Sequence, residues 1–330
     1  MEKPELYPLK FGIIYKHYIW GGRNLENIGK VINNNEIVAE SWEISDHEED
    51  VSIVKNGALA GRSLRDLVGL YGENICAETG TARFPLLIKY LDANKRLSVQ
   101  VHPDDEYTRA HESPTEPGKN ECWFIMEASP GAELIMGIKK GVTKKAFEQL
   151  INENKIAEGL NRVPVSKGDF IHIKTGTVHA LLEGIMVCEI QQNSDTTYRL
   201  YDWGRKGQDG KPRPLHIQKA LDVINFPSGS GYEKYMKDIV ISYDKSSINT
   251  AHSLIRGKYF NIDYLHYEKG FELSLGEYHF HTLNILNGNG IIIYSKGTVP
   301  IQKGETILIP RPVQSYIINT GGIEILKAFL

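Results

Sequence analysis

The chain has 330 residues, 41% of them hydrophobic, with 41 acidic and 38 basic side chains, a formal net charge of −3 and a pI near 6.4. That balance excludes an electrostatic binder of nucleic acid or anionic membrane, because no basic arm or lysine-rich tract is present. The three cysteines, Cys76, Cys122 and Cys188, are far apart with no C-x-x-C pair, which excludes a disulfide framework and a thiolate metal site.

At the N-terminus, MEKPELYPLKFGIIYKHYIWGG has no apolar core of signal-peptide length, and no later run reaches a membrane span, so a reducing, cytoplasmic setting is expected. Residues 63–70 predict a short helix. Short runs rich in β-branched and aromatic residues then follow at 84–90, 97–101, 122–126 and 133–136. Each is closed by Gly, Pro, Asn or Asp, as strands are. Thr143 is placed to cap a helix running to about residue 157, with Phe147, Leu150 and Ile151 on one face. Strands are predicted again at 170–173 and 186–191. Ile217, Leu221 and Ile224 make a helical stripe after Pro214. Past Phe226, PSGSGYEKY reads as a linker. From residue 239 onward the pattern is β once more, with runs at 259–267, 283–286, 291–294 and 306–309. The expected division is residues 1–226, with helices near 63–70, 143–157 and 215–226, and residues 227–330.

A loose repeat crosses that boundary. GDFIHIKTGTVH (168–179) and GETILIPRPVQS (304–315) share a strand and turn, but the first ends on His179 and the second on Ser315. Both segments resemble the second motif of cupins, which are small metal-binding β-barrels. The resemblance implies a mainly β chain of two cupin-like (jelly-roll) β-barrels with a few short helices, and only the first copy keeps its histidine. His279 and His281 are a second same-face histidine pair, and Ser315 leaves them without the third partner.

The chemistry concentrates in the N-terminal half. In SVQVHPDD (98–105), strand alternation puts Ser98, Gln100 and His102 on one face and Val99 and Val101 on the other. A polar row on a buried strand is costly unless something satisfies it, and a metal ion would. In GKNECWFI (118–125), Lys119 and Glu121 share a face and Cys122 points away. His179 follows the Gly176 turn, and EIQQNSDTTYRLYDWGR (189–205) is a dense polar run carrying Arg199 and Arg205. Gln100, His102, Glu121 and His179 offer an amide oxygen, a carboxylate and two imidazoles. That set suits zinc or a similar borderline divalent ion in an open, catalytic type of site. His172 reads as a structural strand histidine.

These segments, with IWGGRNL (19–25), AESWEIS (39–45), FPLLIKYLDA (84–93) and RPLHIQKALDVINF (213–226), closely resemble the type I mannose-6-phosphate isomerases. The resemblance is strong over residues 10–226, and the chain is similar to the short bacterial form. It implies one Zn²⁺ per chain on Gln100, His102, Glu121 and His179, with Lys119 and Arg199 in the catalytic pocket. Phosphate contacts are implied for Ser98 and Arg199, and further for Arg205 or Lys206. Mannose 6-phosphate and fructose 6-phosphate would interconvert by metal-assisted proton transfer between C1 and C2, through an enediol-like intermediate. Lys119 or a metal-bound water would serve the proton transfers, and the carbon base stays open. The partner is a small sugar phosphate, and the chain is expected to be a monomer or weak homodimer. Two other readings use the same scaffold. A non-catalytic sugar-phosphate-binding cupin would have a broken ligand set, whereas all four ligands are present. An iron-dependent oxygenase would lack Gln100 and the basic phosphate candidates.

Overall fold

Continuous burial, rather than alternation, marks the strands at the centre of the molecule. In the computed structural model, which describes residues 3–76, 83–207, 210–229 and 231–330, all eight residues of Leu86–Ala93 and of Ile185–Gln192 are buried. The two strands pair from Ile185↔Ala93 to Gln192↔Leu86. They lie inside a seven-stranded antiparallel sheet in the order Val240–Ile241, Phe170–Ile173, Glu121–Ala128, Ile185–Gln192, Leu86–Ala93, Glu40–Ile44, Ile14–Lys16. Such strands have apolar neighbours on both faces. One face packs on a five-stranded sheet ordered Leu160–Pro164, Glu133–Ile138, His179–Leu181, Val99–Val101, Tyr198–Tyr201. Leu91, Trp123, Ile125, Leu134, Met136 and Val187 fill the space between.

The other face of the seven-stranded sheet presents Tyr90, Cys122, Phe124 and Cys188 to a nine-stranded C-terminal sheet, meeting Tyr264, Phe280, Leu308 and Leu326. That C-terminal unit has its own core, including Leu283, Ile285, Ile307 and Ile325. The fold is therefore mainly β and cupin-like, as expected. Two segments cross the division expected at residue 226. Leu9–Lys10 pairs with Thr306–Pro310, and Val240–Ile241 pairs with Phe170–Ile173.

The helices are short. α1 (Leu64–Tyr71) starts with a reciprocal capping box between Ser63 and Asp66. α2 (Asp105–His111) is capped by Asp104, α3 (Lys144–Asn152) by Thr143, and α4 spans Ile217–Val223. α5 (Gly231–Lys237) occupies the stretch expected to be linker, with Tyr235 and Met236 packed on the inter-sheet core. The runs expected at 283–286 and 291–294 are one strand, Phe280–Tyr294, with a bulge between Ile285 and Asn287. α3 and α4 cover the outer face of the five-stranded sheet, where Phe147 and Leu221 meet Val99, Val101 and Ile135.

A buried ion pair ties the two units together. The Lys30 ammonium donates to Glu43 and to the Gly304 carbonyl, both at 2.6 Å. Burial presses the lysine's pKa down, and Glu43 only partly offsets it. Removing one partner of such a pair strands the other in the interior. Lys30→Met is expected to cost about 3 kcal/mol, read as a lowered urea midpoint at unchanged m-value. A loss below about 1 kcal/mol would mean that Glu43 keeps adequate partners without it.

Candidate metal centre and cavity

Three adjacent strands of the five-stranded sheet carry one polar row. His179 lies directly opposite Gln100, and Gln100 lies opposite Arg199 on its other side. Ser98 precedes Gln100 on the same face, its hydroxyl 3.3 Å from Oε1. Glu121 comes from the facing sheet, at the first residue of Glu121–Ala128.

Two glycines permit these approaches. A Cβ on Gly118 would stand 2.6 Å from the backbone of Asp104 and Asp105. Only glycine lets the Lys119 segment lie there, with the Lys119 N–H donating to the Pro103 carbonyl at 3.1 Å. Gly176 has φ +79 and no room for a Cβ beside Asn225. Its N–H donates to the His102 carbonyl at 2.9 Å, which ties the His179 turn to the His102 strand.

The side chains then converge. His102, Glu121 and His179 place ligand atoms within 4.8 Å of one another, at 1%, 1% and 0% exposure. Glu121 lies 3.5 Å from His102 Nε2 and 3.2 Å from His179 Nε2. Each imidazole has its Nδ1 2.9 Å from a backbone carbonyl, Thr196 for His102 and Thr177 for His179. Those bonds fix the tautomer with the proton on Nδ1 and turn the Nε2 lone pairs inward, the usual outer support of metal-binding histidines. His102 Nε2 and both Glu121 oxygens are buried without a hydrogen-bond partner, which the interior tolerates only when something else satisfies them. The Gln100 amide nitrogen sits 3.3 Å from His179 Nε2, and half a turn of the amide offers Oε1 to the same point. Burial and the Lys119 charge lower His102 to about 4, so it is neutral. Burial favours a neutral Glu121, but the Lys119 charge outweighs it and holds the carboxyl well below its ordinary range. Two imidazoles whose Nε2 atoms face inward and an ionised carboxylate are a donor set that fits a divalent metal.

Beside this group, Gln100 and Lys119 line a cavity of about 250 Å³ together with Ser98, Arg199 and Trp20 among others. Lys119 stands 3.5 Å from Glu121. The cavity wall also contains residues that sequence reasoning passed over: Glu40, Lys89, Glu189 and Arg213. Lys89 lies 3.6 Å from Glu40 and 3.5 Å from Glu189. Each carboxylate is anchored by an indole N–H, Trp42 to Glu40 at 2.7 Å and Trp123 to Glu189 at 2.9 Å. Burial opposes the Lys89 charge, but Glu40 and Glu189 override it and keep the ammonium charged. The available signal was a lysine in the middle of LLIKYLDA, a strand buried along its whole length. A larger open cleft, about 490 Å³, lies between α2 and α4 and includes none of the ligand group.

Arg205 and Lys206 fall outside this cavity lining. The Arg205 guanidinium bonds to Asp202 and to the Arg96 carbonyl, and Lys206 is exposed in a bridge to Pro212. In the C-terminal unit, His281 is buried with Nδ1 2.8 Å from the Tyr316 hydroxyl. His279 faces outward near the Glu73 carbonyl. His102, Glu121 and His179 form the one group of metal-ligand type among the described residues. His172 packs edge-on to Phe260 in the interface between the two units.

Residues 8–121 match the family model described as phosphomannose isomerase type I, catalytic domain. The chain is 36% identical over 307 residues to mannose-6-phosphate isomerase ManA of Bacillus subtilis (strain 168), covering 92% of this chain and 93% of that one. It is 34% identical over 310 residues to the mannose-6-phosphate isomerase of Streptococcus mutans, covering 94% of each. The crystal structure of the mannose 6-phosphate isomerase from Bacillus subtilis is similar with a TM-score of 0.87 at 32% identity, covering 98% of this chain and 99% of that one.

Proposed function

We propose, from the premise that the chain belongs to the type I phosphomannose isomerases and interconverts mannose 6-phosphate and fructose 6-phosphate, that the reaction runs at one zinc ion held by Gln100, His102, Glu121 and His179. The observation carrying this reading is the convergence of three unpartnered buried atoms, His102 Nε2 and both Glu121 oxygens, with the inward-facing Nε2 of His179. Zinc bound there would act as a Lewis acid on the sugar's carbonyl and hydroxyl oxygens. An N/O donor set without sulfur agrees with a catalytic rather than a structural site.

The chain's own residues do the rest. A proton leaves C2 of the open-chain aldose and one arrives at C1, while a proton moves from the C2 hydroxyl to O1. The Lys119 ammonium, beside Glu121, reaches the oxygens and serves that second transfer. Lys89 is locked between Glu40 and Glu189 and offsets the charge of those acids in the cavity wall. Ser98 and Arg199 take the phosphate. Arg199 donates to Ser98 Oγ at 3.3 Å and to the Pro214 carbonyl at 3.0 Å, and makes no ion pair among the described residues. The three free thiols, all buried, agree with a reducing, cytoplasmic setting.

Proton NMR of mannose 6-phosphate with zinc-loaded protein in D2O tests this. Fructose 6-phosphate carrying solvent deuterium at C1 is expected. Absence of the ketose would remove the activity, and product that retains only the substrate's own hydrogen would leave either an internal hydride shift or a proton carried by a base shielded from solvent.

A further inference from the structure

Beside the phosphate end of the cavity, charge is unbalanced in a way the roles above do not use. Arg199, Arg205 and Arg213 gather around a single carboxylate, Asp202. Arg213 grips it through two bonds, Nε to Oδ2 at 2.8 Å and Nη2 to Oδ1 at 2.6 Å. Arg205 shares Oδ1 and turns its remaining donor to the Arg96 carbonyl. Arg199 has no carboxylate partner, and burial and the nearby Arg213 both press its pKa down. Even with Asp195, a further carboxylate of the cavity wall that acts on Arg199, the three guanidiniums leave positive charge over, as a phosphate monoester requires. Arg199 and Arg213 line the cavity with Ser98, whereas Arg205 does not.

We propose that Arg213 is a second phosphate-binding guanidinium, which joins Arg199 and Ser98 in selecting phosphorylated sugars, and that Asp202 is the positioning residue that aims it. This rests on the placement of the phosphate at Arg199 and Ser98 given above. Asp202 fastens Nε and Nη2 of Arg213 and leaves Nη1 free to donate. A planar fork held on one edge by a carboxylate is oriented before the substrate arrives, so less side-chain freedom is lost on binding. A charge-assisted bond of this kind is typically worth about ten- to hundredfold in affinity.

The test uses the zinc-loaded full chain. For Arg213→Met, the KM for mannose 6-phosphate is expected to rise about ten- to hundredfold, with kcat within about threefold. Inorganic phosphate, titrated by calorimetry without turnover, should weaken in parallel. Arg213→Lys should recover part of both losses. Asp202→Asn should weaken phosphate affinity and raise KM by about three- to tenfold, less than Arg213→Met, with the melting temperature kept, because the guanidinium remains but is no longer aimed. A purely structural Arg213–Asp202 tie predicts instead that both variants shift KM and melting temperature alike, and that result would overturn the proposal. Unchanged KM and phosphate affinity in Arg213→Met would overturn it too. Failure of the wild type to isomerise mannose 6-phosphate would strike the reading of the reaction, while phosphate titration of wild type and Arg213→Met still decides the role of Arg213. Phosphate bound only at zinc would be unaffected by that substitution, and this outcome counts against the proposal.

Discussion

His102→Ala is expected to lose bound zinc and to lower kcat/KM for mannose 6-phosphate by at least about a thousandfold. The side chain is 1% exposed, and its Nε2 has nothing else to bind, since Nδ1 is committed to the Thr196 carbonyl. Removing it leaves Glu121 and His179 with Gln100, one ligand short. A metal polarising a reacting oxygen supplies several kcal/mol of transition-state stabilisation, and about 4 kcal/mol corresponds to three decades in rate. Metal analysis after dialysis separates loss of the ion from loss of the fold. Zinc should raise the wild-type melting temperature and leave that of the variant unchanged, because an ion stabilises only a state that binds it. A variant that retains one zinc per chain and near-normal turnover would mean that His102 is not a ligand.

Lys119→Met is the second large effect. Its expected signature differs: kcat falls at least about a hundredfold, KM stays within about threefold, and zinc is retained. The ammonium stands beside Glu121 in a buried wall, and a positioned acid–base group contributes about a hundred- to ten-thousandfold. Stopped-flow or steady-state kinetics on protein of verified zinc content reads the split. If KM rises while kcat holds, Lys119 only helps to bind the sugar. If both hold, it belongs to the structural charge balance of Glu121, and another group moves the proton.

The gathering of His102, Glu121 and His179 beside Gln100 and Lys119 was legible in part because strand alternation fixes which side chains share a face. The row from Ser98 through Gln100 and the opposed facing of Glu121 and Cys122 both follow from it. The four residues added by the structure were silent for different reasons. Lys89 and Glu189 sit in strands buried on both faces, where alternation carries no information, and a charge there gives the remaining clue. Glu40 lies in an equally buried strand. Arg213 reaches the cavity from a loop, through Asp202, and no periodicity predicts a contact between residues 202 and 213. α2 and α5 escaped for a related reason. Thr108 is the one buried residue of α2, and α5 has none, so neither shows an apolar stripe. In the C-terminal unit, Asn287-Gly288-Asn289-Gly290 reads locally as a turn. Pairing with neighbours on both sides, from Asn284↔Leu326 to Ile293↔Thr298, instead carries one strand through it. The two-residue pairing of Leu9–Lys10 with Ile307 and Leu308 spans most of the chain and leaves no local trace at all.

The most direct measurement is a coupled assay for fructose 6-phosphate from mannose 6-phosphate, on protein stripped by a chelator and then titrated with zinc. Turnover should be negligible in the folded, metal-free chain and should rise to a plateau at one zinc per chain. Full turnover without metal, or none with zinc or any other divalent ion in folded protein, would contradict a reaction centred on His102, Glu121 and His179.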